Sequence, residues 1–216
     1  VESYDGDREL ALKTFLQAYL ACVTFVDEQV GKIIEGLNKS KFANNTIVVF
    51  TSDHGWQMGE KNYLFKNSPW EKSARVPLII KTPNSHSGLQ VAQPVSLVDL
   101  FPTLVDYCAI KGNHKKNKNG GNLGGHTLRP LLENTKGWKG PKGALTIVGN
   151  YGNKYPKLEQ NYSYRTAQYR YILYRNGKEE LYDHNIDPQE WKNIADDNNY
   201  KKIKKQLKKD MLAIIK

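Results

Sequence analysis

Between residues 8 and 37 apolar side chains recur at helical spacing, with Leu12, Phe15, Leu16, Tyr19, Leu20, Val23, Val26, Val30, Ile33, Ile34 and Leu37 on one broad stripe. That period predicts one long, largely buried amphipathic helix. Residues 38–45 break the pattern. The run Ile47, Val48, Val49, Phe50 is short, β-branched and unalternating, as expected of a strand covered on both faces in a parallel sheet, and VPLIIK at 76–81 reads as a second. A polar loop from Pro83 to Pro94 leads to Ser96, a suitable N-cap for the helical stretch LVDLFPTLVDYC, in which Pro102 predicts a kink. Residues 111–125, rich in Gly, Asn and Lys, read as a mobile surface loop, and 128–133 as a short helical turn.

Beyond that point the texture changes. ALTIVGNY, YSYRTAQ, YRYILYR and EELYD alternate polar with aromatic or aliphatic residues, and Asn176-Gly177 is a strong hairpin signal. An antiparallel meander is expected, then a helical turn at 188–193 and a Lys-rich helix with the apolar stripe Ile203, Leu207, Met211 and Ile214. The order of elements implies an α/β body over residues 1–138 and a small α+β appendage, antiparallel sheet plus helix, over 139–216.

The chain has 216 residues, enough for a sizeable core, and no uninterrupted apolar run near the roughly 20 residues that cross a bilayer, so no transmembrane segment is expected. A formal charge of +10 raises the question of nucleic acid. Its location argues against that partner. Residues 201–216 hold seven Lys and one Asp, and 111–118 hold four Lys; removing both from 32 basic and 22 acidic residues leaves 21 of each. No zinc-finger spacing or RNP motif is present either. Cys22 and Cys108 both stand in apolar helical patterns and read as small buried hydrophobes. The chain opens at Val1 and enters a long helix almost at once, as a piece of something longer would.

One stretch does not fit a bland α/β reading. SDHG follows directly on the first apolar strand. In open α/β sheets ligands gather beyond the carboxyl ends of strands. Asp53 and His54 stand at that edge, and Gly55 permits the immediate turn that would let both address one centre. A carboxylate beside an imidazole makes half of a metal site; the same residues also suit a simple turn cap.

TIVVFTSDHGWQMGEKNYLFKNSPWEKSARVPLII, together with the preceding AYLACVTFVDEQVGKIIEGL, resembles the type I sulfatases of the alkaline phosphatase superfamily, in the DHG branch that includes iduronate and choline sulfatases. The resemblance continues through VSLVDLFPTLVDYC, HTLRPLL and the tail YSYRTAQYRYILYRNGKEELYDHNIDPQEWKNIA, and so covers nearly the whole chain. It implies an alkaline-phosphatase-like sulfatase fold, of which this chain would form the C-terminal part.

The resemblance also implies roles. Asp53 and His54 would bind a divalent cation, usually calcium, that holds the sulfate ester; Lys66 would contact a sulfate oxygen and stabilise charge as it builds there. Calcium prefers oxygen ligands, so that assignment rests on resemblance and not on ligand chemistry. Lys61 and Lys72 are weaker candidates. Trp56 and Trp70 flank the region as substrate-stacking candidates, with core packing as the alternative. Gly59 and Glu60 read as loop-fixing residues, and His126 and His184 as structural. Such sulfatases use a formylglycine made from Cys or Ser in C-x-[PA]-x-R; Cys22, in CVTFV, does not match. Formylglycine is therefore expected in an N-terminal half outside this chain, which would be its partner. The expected substrate is a sulfated sugar or small sulfate ester, and the expected location secreted or periplasmic in a bacterium. Two alternatives stay open: a phosphodiesterase or phosphomutase of the same superfamily, and a non-catalytic basic glycan-binding module.

Overall fold

Asp7 opens the first helix by accepting the backbone N–H of Leu10 at 2.9 Å, the arrangement of an N-cap, and α1 runs over Arg8–Asn38. The computed structural model describes residues 6–83, 85, 88–112, 114, 116, 121–149 and 160–215. The chain divides into two compact units, 1–66 with 76–85 and 67–75 with 86–216. The boundary read from the sequence, at 138/139, lies within the second of these, ahead of its sheet.

In the first unit α1 has the expected length but not the expected cover. None of its residues is buried, and Leu20, Val23, Val26 and Ile33 are half or more exposed or close to it, at 53, 49, 51 and 68%. By length and composition alone it passes for a membrane-crossing helix, although no uninterrupted apolar run reaches that length. Cys22 shares this exposure, and Cys108, at the C-terminal end of a later helix, is exposed as well; both are free thiols and not buried hydrophobes.

The strands of this unit are β1 (Val48–Thr51), β2 (Gln57–Met58), β3 (Leu64–Phe65) and β4 (Leu78–Lys81). β1 pairs with β4 antiparallel, Val48 opposite Lys81 and Thr51 opposite Leu78, and β2 pairs with β3. The sequence reading put each strand in a parallel sheet covered on both faces; they pair with each other antiparallel instead, and Phe50 and Ile79 are 38 and 61% exposed. Apolar runs report burial on both faces but carry no direction; direction comes from the connection. Here the connection holds a short hairpin and a single-turn helix, not the long crossover helix that parallel neighbours use.

The second unit begins with that helix, α2 (Glu71–Ala74). Ser96 and Asp99 form a capping box around a 3₁₀ turn at Leu97–Asp99, which passes into α3 (Leu100–Tyr107). Pro102 does not kink α3. It sits in the first turn, where its missing N–H needs no partner, and the change from 3₁₀ to α geometry occurs just before it. The GHTLR stretch is stapled to α3: His126 N–H reaches Asp99 at 2.8 Å, Leu128 N–H reaches Thr103 Oγ1 at 2.8 Å, and Thr127 Oγ1 donates to Asp106 at 2.8 Å. Gly125, at φ +94, makes this approach possible, since a Cβ there would lie 2.3 Å from the Val98 carbonyl oxygen. Then comes α4 (Arg129–Leu132).

The meander is as expected, four antiparallel strands in the order β5 (Gly143–Val148), β6 (Asn161–Thr166), β7 (Tyr169–Leu173), β8 (Glu179–Asp183). Asn176-Gly177 closes the last hairpin, with Gly177 at φ +81. Residues 188–193 do not form the expected helical turn; a 3₁₀ turn lies later, at Asn198–Tyr200, and leads into α5 (Lys201–Ile215). Leu207 and Met211 of α5 join Tyr162, Tyr164, Tyr171 and Leu181 in the core, while Ile214, expected on the buried stripe, is 40% exposed. Part of the 111–125 loop, and His86, lie outside the described residues.

Candidate active site

Ser52 directly follows β1, and its hydroxyl donates to the His54 carbonyl at 3.0 Å, while Asp53 Oδ1 accepts the His54 N–H at 3.0 Å. These two bonds close the turn on itself, so consecutive residues address one side instead of alternating across the strand. His54 Nε2 comes 3.5 Å from Asp53 Oδ2. Lys66, twelve residues on, places Nζ 2.9 Å from the same His54 nitrogen. The β2–β3 hairpin makes that return possible by pairing Gln57 with Phe65 and Met58 with Leu64. Asp53, His54 and Lys66 are thus brought together, with the Asp53 side chain 83% and that of His54 32% exposed.

The hairpin tip has an unusual backbone. Gly59 stands at φ 110, Lys61 and Asn62 at φ 55, and Phe65, a bulky aromatic, at φ 84. Non-glycine residues held there store about 1–3 kcal/mol each and cluster where function requires a fixed geometry. Phe65 directly precedes Lys66. Glu60 contributes as a loop-fixing residue, accepting the Met58 N–H at 2.7 Å.

The hydrogen bonds set the state of the imidazole. His54 Nδ1 lies 2.9 Å from the Gly55 carbonyl and must donate to it, which leaves Nε2 with a lone pair that accepts from the Lys66 ammonium. Nε2 can accept from Lys66 or bind a cation, not both. A carboxylate and an imidazole nitrogen suit a divalent ion, but two donors fill only part of a calcium sphere of six to eight, and the set does not select calcium over zinc. Among the described residues no third His, Cys, Asp or Glu completes a group with them.

Trp56 stacks on Phe15 of α1, ring centroids 6.3 Å apart at 16°, meets Phe65 edge-on at 5.6 Å, and lies 6.4 Å from His54. It forms a wall behind the imidazole. Trp70 belongs to the second unit, where its indole N–H donates to Glu180 at 2.9 Å.

A second constellation went unread in the sequence. Glu71, His184 and Glu190 offer three ligand atoms within 4.8 Å of one another. Arginines already satisfy them. Arg170 Nε donates to Glu190 at 2.5 Å and its Nη2 to Glu71, Arg165 Nε donates to Glu71 at 3.2 Å, and Arg165 Nη2 donates to His184 Nδ1 at 2.9 Å. His184 Nε2–H in turn donates to Glu190 at 2.9 Å. Two carboxylates and two guanidiniums balance around the His184 ring, so this group is a charge network and not a cation site. Burial pushes the Glu71 and Glu190 carboxyls up, but Arg170 and Arg165 at Glu71, and the His184 hydrogen bond and Arg170 at Glu190, more than offset it and hold both below the usual range. The available signal was arginine within otherwise apolar strands, in YSYRTAQYRYILYR. His184 sits within this network, and the exposed His126 ring meets Trp138 edge-on at 5.9 Å.

A strand followed by Asp-His, a lysine returned to the imidazole by the β2–β3 hairpin, and an antiparallel sheet with a terminal helix fit an alkaline-phosphatase-like sulfatase fold. Family models agree: "Sulfatase" matches residues 2–110 and "N-sulphoglucosamine sulphohydrolase, C-terminal" matches 59–216. The chain belongs to the sulfatase family. It is 35% identical over 189 residues to a sulfatase of Formosa agariphila and 31% identical over 199 residues to an N-acetylglucosamine-6-O-sulfatase of Bacteroides thetaiotaomicron, covering 88 and 89% of this chain and 34% of each relative. Among solved structures, a protein in complex with its substrate D-glucosamine-2-N,6-O-disulfate superposes with a TM-score of 0.77 at 28% identity, over 99% of this chain and 44% of that one. A phosphonate monoester hydrolase of Agrobacterium radiobacter gives 0.73 at 27%, over 87 and 38%. The chain thus spans about a third of the length of the curated relatives it matches.

Proposed function

We propose that this chain carries the metal-and-lysine portion of a sulfatase that hydrolyses sulfate esters on sulfated sugars. The observation behind this reading is the Asp53–His54–Lys66 cluster at the end of β1, with Lys66 Nζ 2.9 Å from His54 Nε2. A divalent cation, calcium by family resemblance, would be held by Asp53 and His54 and supply positive charge against the ester's anionic head. Lys66, the only flexible cation of the three, presents its ammonium to a sulfuryl oxygen and to the leaving oxygen as charge develops there. The Gly55 carbonyl aims the His54 ring by accepting from Nδ1, and Trp56 stands to one side of it. Support for a sulfated glucosamine as substrate comes from the relative named for N-acetylglucosamine-6-O-sulfate and from the disulfate-bound structure.

The formylglycine nucleophile would come from sequence ahead of Val1. The apolar face of α1 fits this arrangement better than a lipid one, because the sulfatase match runs through it into β1 and β4. Trp56 and Trp70 as sugar-stacking residues, a division of the chain at 138/139, and a secreted or periplasmic location complete the reading. The test is sulfate release from sulfated glucosamines by the gene's full product. Asp53→Ala and Lys66→Ala should each lower turnover by at least about 100-fold; unchanged turnover in either variant removes that residue from the site. A second reading, phosphonate or phosphate monoester hydrolysis, draws on the likeness to the phosphonate monoester hydrolase. Faster turnover of a phosphonate monoester than of any sulfate ester, with tightly held zinc, would favour it.

A further inference from the structure

The two faces of α5 differ in what they touch. Leu207 and Met211 are buried in the sheet core, with Ile203, Leu212 and Ile215 partly buried beside them, and Lys204 and Lys208 reach Glu179 of β8 at 3.0 and 2.9 Å. Packing is complete without the other lysines. Lys202, Lys205 and Lys209 are exposed. At 3.6 residues per turn they share one narrow sector opposite Leu207 and Met211, a ridge of about 10 Å that Lys201 flanks. Among the described residues no carboxylate pairs with any of these four, and the acid within the helix, Asp210, accepts from Gln206 at 2.6 Å.

This row works against the helix that carries it. Lys201 and Lys205, Lys202 and Lys205, and Lys205 and Lys209 are like charges three or four positions apart, where repulsion destabilises a helix. Lys201 and Lys202 also stand in the first turn, where the helix dipole favours anions, and no acidic residue accompanies them there. Asp196 and Asp197, exposed just ahead of the helix, moderate only that end. A solvated face needs no such crowding; mixed signs would serve solubility with less repulsion. Local rules broken without a packing gain point to function.

We infer that the Lys202–Lys205–Lys209 ridge is a docking surface for sulfated polysaccharide. The choice of polyanion rests on the sulfatase reading above. Ammonium groups at this spacing attract successive sulfates of one chain, raise its local concentration and release it as salt increases.

The test titrates the gene's full product with dextran sulfate, with uncharged dextran and with duplex DNA of matched charge, across a salt series. Two triple variants carry the same change in charge: K202E/K205E/K209E on the ridge, and K136E/K139E/K142E at exposed lysines ahead of β5. The ridge variant should bind dextran sulfate about tenfold or more weakly and with a shallower salt dependence, and the control variant should lose less than about threefold. K202Q/K205Q/K209Q should repeat the loss without adding acids, and the helical circular dichroism of all variants should match the parent. Equal losses in both triples, unchanged binding in the ridge variants, or DNA held as tightly as dextran sulfate would overturn the proposal. Sulfate release by the gene's full product from a monosaccharide ester should survive the ridge substitutions. Ridge binding without any sulfate release would instead overturn the catalytic reading.

Discussion

Arg170→Met tests the buried charge network most severely. The Arg170 side chain is 2% exposed and donates to Glu190, itself 1% exposed, to Glu71, to Ser163 Oγ at 2.6 Å and to the Pro69 carbonyl at 3.3 Å. Methionine of similar reach fills the volume but takes the guanidinium charge away from Glu190, which keeps the His184 N–H and the Glu71 backbone N–H among its donors. Removing one member of a buried ion pair costs about 3–5 kcal/mol. Arg165 still faces Glu71, which places the expected loss near the lower end, about 3 kcal/mol, a large share of the 5–15 kcal/mol that a domain commands. The pH dependence has a definite sign. The folded-state carboxyls of Glu71 and Glu190 are depressed, so their contribution is present above the unfolded value of about 4.3 and is lost as pH falls through the folded values. Without Arg170, burial dominates and those carboxyls rise. The deficit of the variant should therefore be largest at neutral pH and shrink toward pH 4. Urea denaturation followed by circular dichroism at pH 7 and pH 4.5 measures both. A deficit under about 1 kcal/mol at pH 7, or one that grows with acid, would show that Arg170 does not hold these carboxylates ionised.

Gly125→Ala should destabilise by about 2 kcal/mol or more in thermal melts, because it adds a Cβ at φ +94 against the Val98 carbonyl. Leu207→Ala, which opens a cavity under α5, should cost about 2–5 kcal/mol, whereas Ile214→Ala, already exposed, should cost under about 1 kcal/mol. Burial pushes the Glu179 carboxyl up, but the Tyr171 hydroxyl, Lys208 and Lys204 draw it down to about 2. Its contribution should persist above about pH 4.5 and fade as pH drops toward 2, so Glu179→Gln should flatten the acid limb of the stability profile by roughly 1–2 kcal/mol. The bare face of α1 should make the isolated chain bind apolar dyes and self-associate. A Leu20→Glu/Val23→Glu double variant should reduce both in light scattering, and a monodisperse parent without dye binding would contradict that exposure.

Local rules carried much of this fold. The 3.6-residue stripe placed α1 and α5, the Asn-Gly turn placed the β7–β8 hairpin, and strand alternation placed the whole meander. What failed depended on partners far away in sequence or outside it. α1 was read as buried from its stripe, which reports what a helix wants to touch and not whether this chain supplies it; Cys22 was misjudged with it. β1 and β4 were identified as strands but each was put in a parallel sheet, since apolar content has no polarity. At the site, Asp53, His54 and Lys66 were named from motif alone; the hairpin between them holds Lys61 and Phe65 at positive φ, which their residue types do not suggest. For the Glu71–Arg170–Glu190 network the sequence offered only arginine within aromatic-rich strands; its partners lie far away in the chain, where Glu71 and Glu190 each look like surface charge.

The most direct measurement is a crystal structure of the gene's full product with calcium and a bound sulfate ester. A cation is expected about 2.4 Å from an Asp53 oxygen, in contact with His54 Nε2, with Lys66 Nζ turned from the imidazole to a sulfate oxygen at about 2.9 Å. A cation seated among Glu71, His184 and Glu190, or an ester bound with Lys66 still on His54, would contradict it.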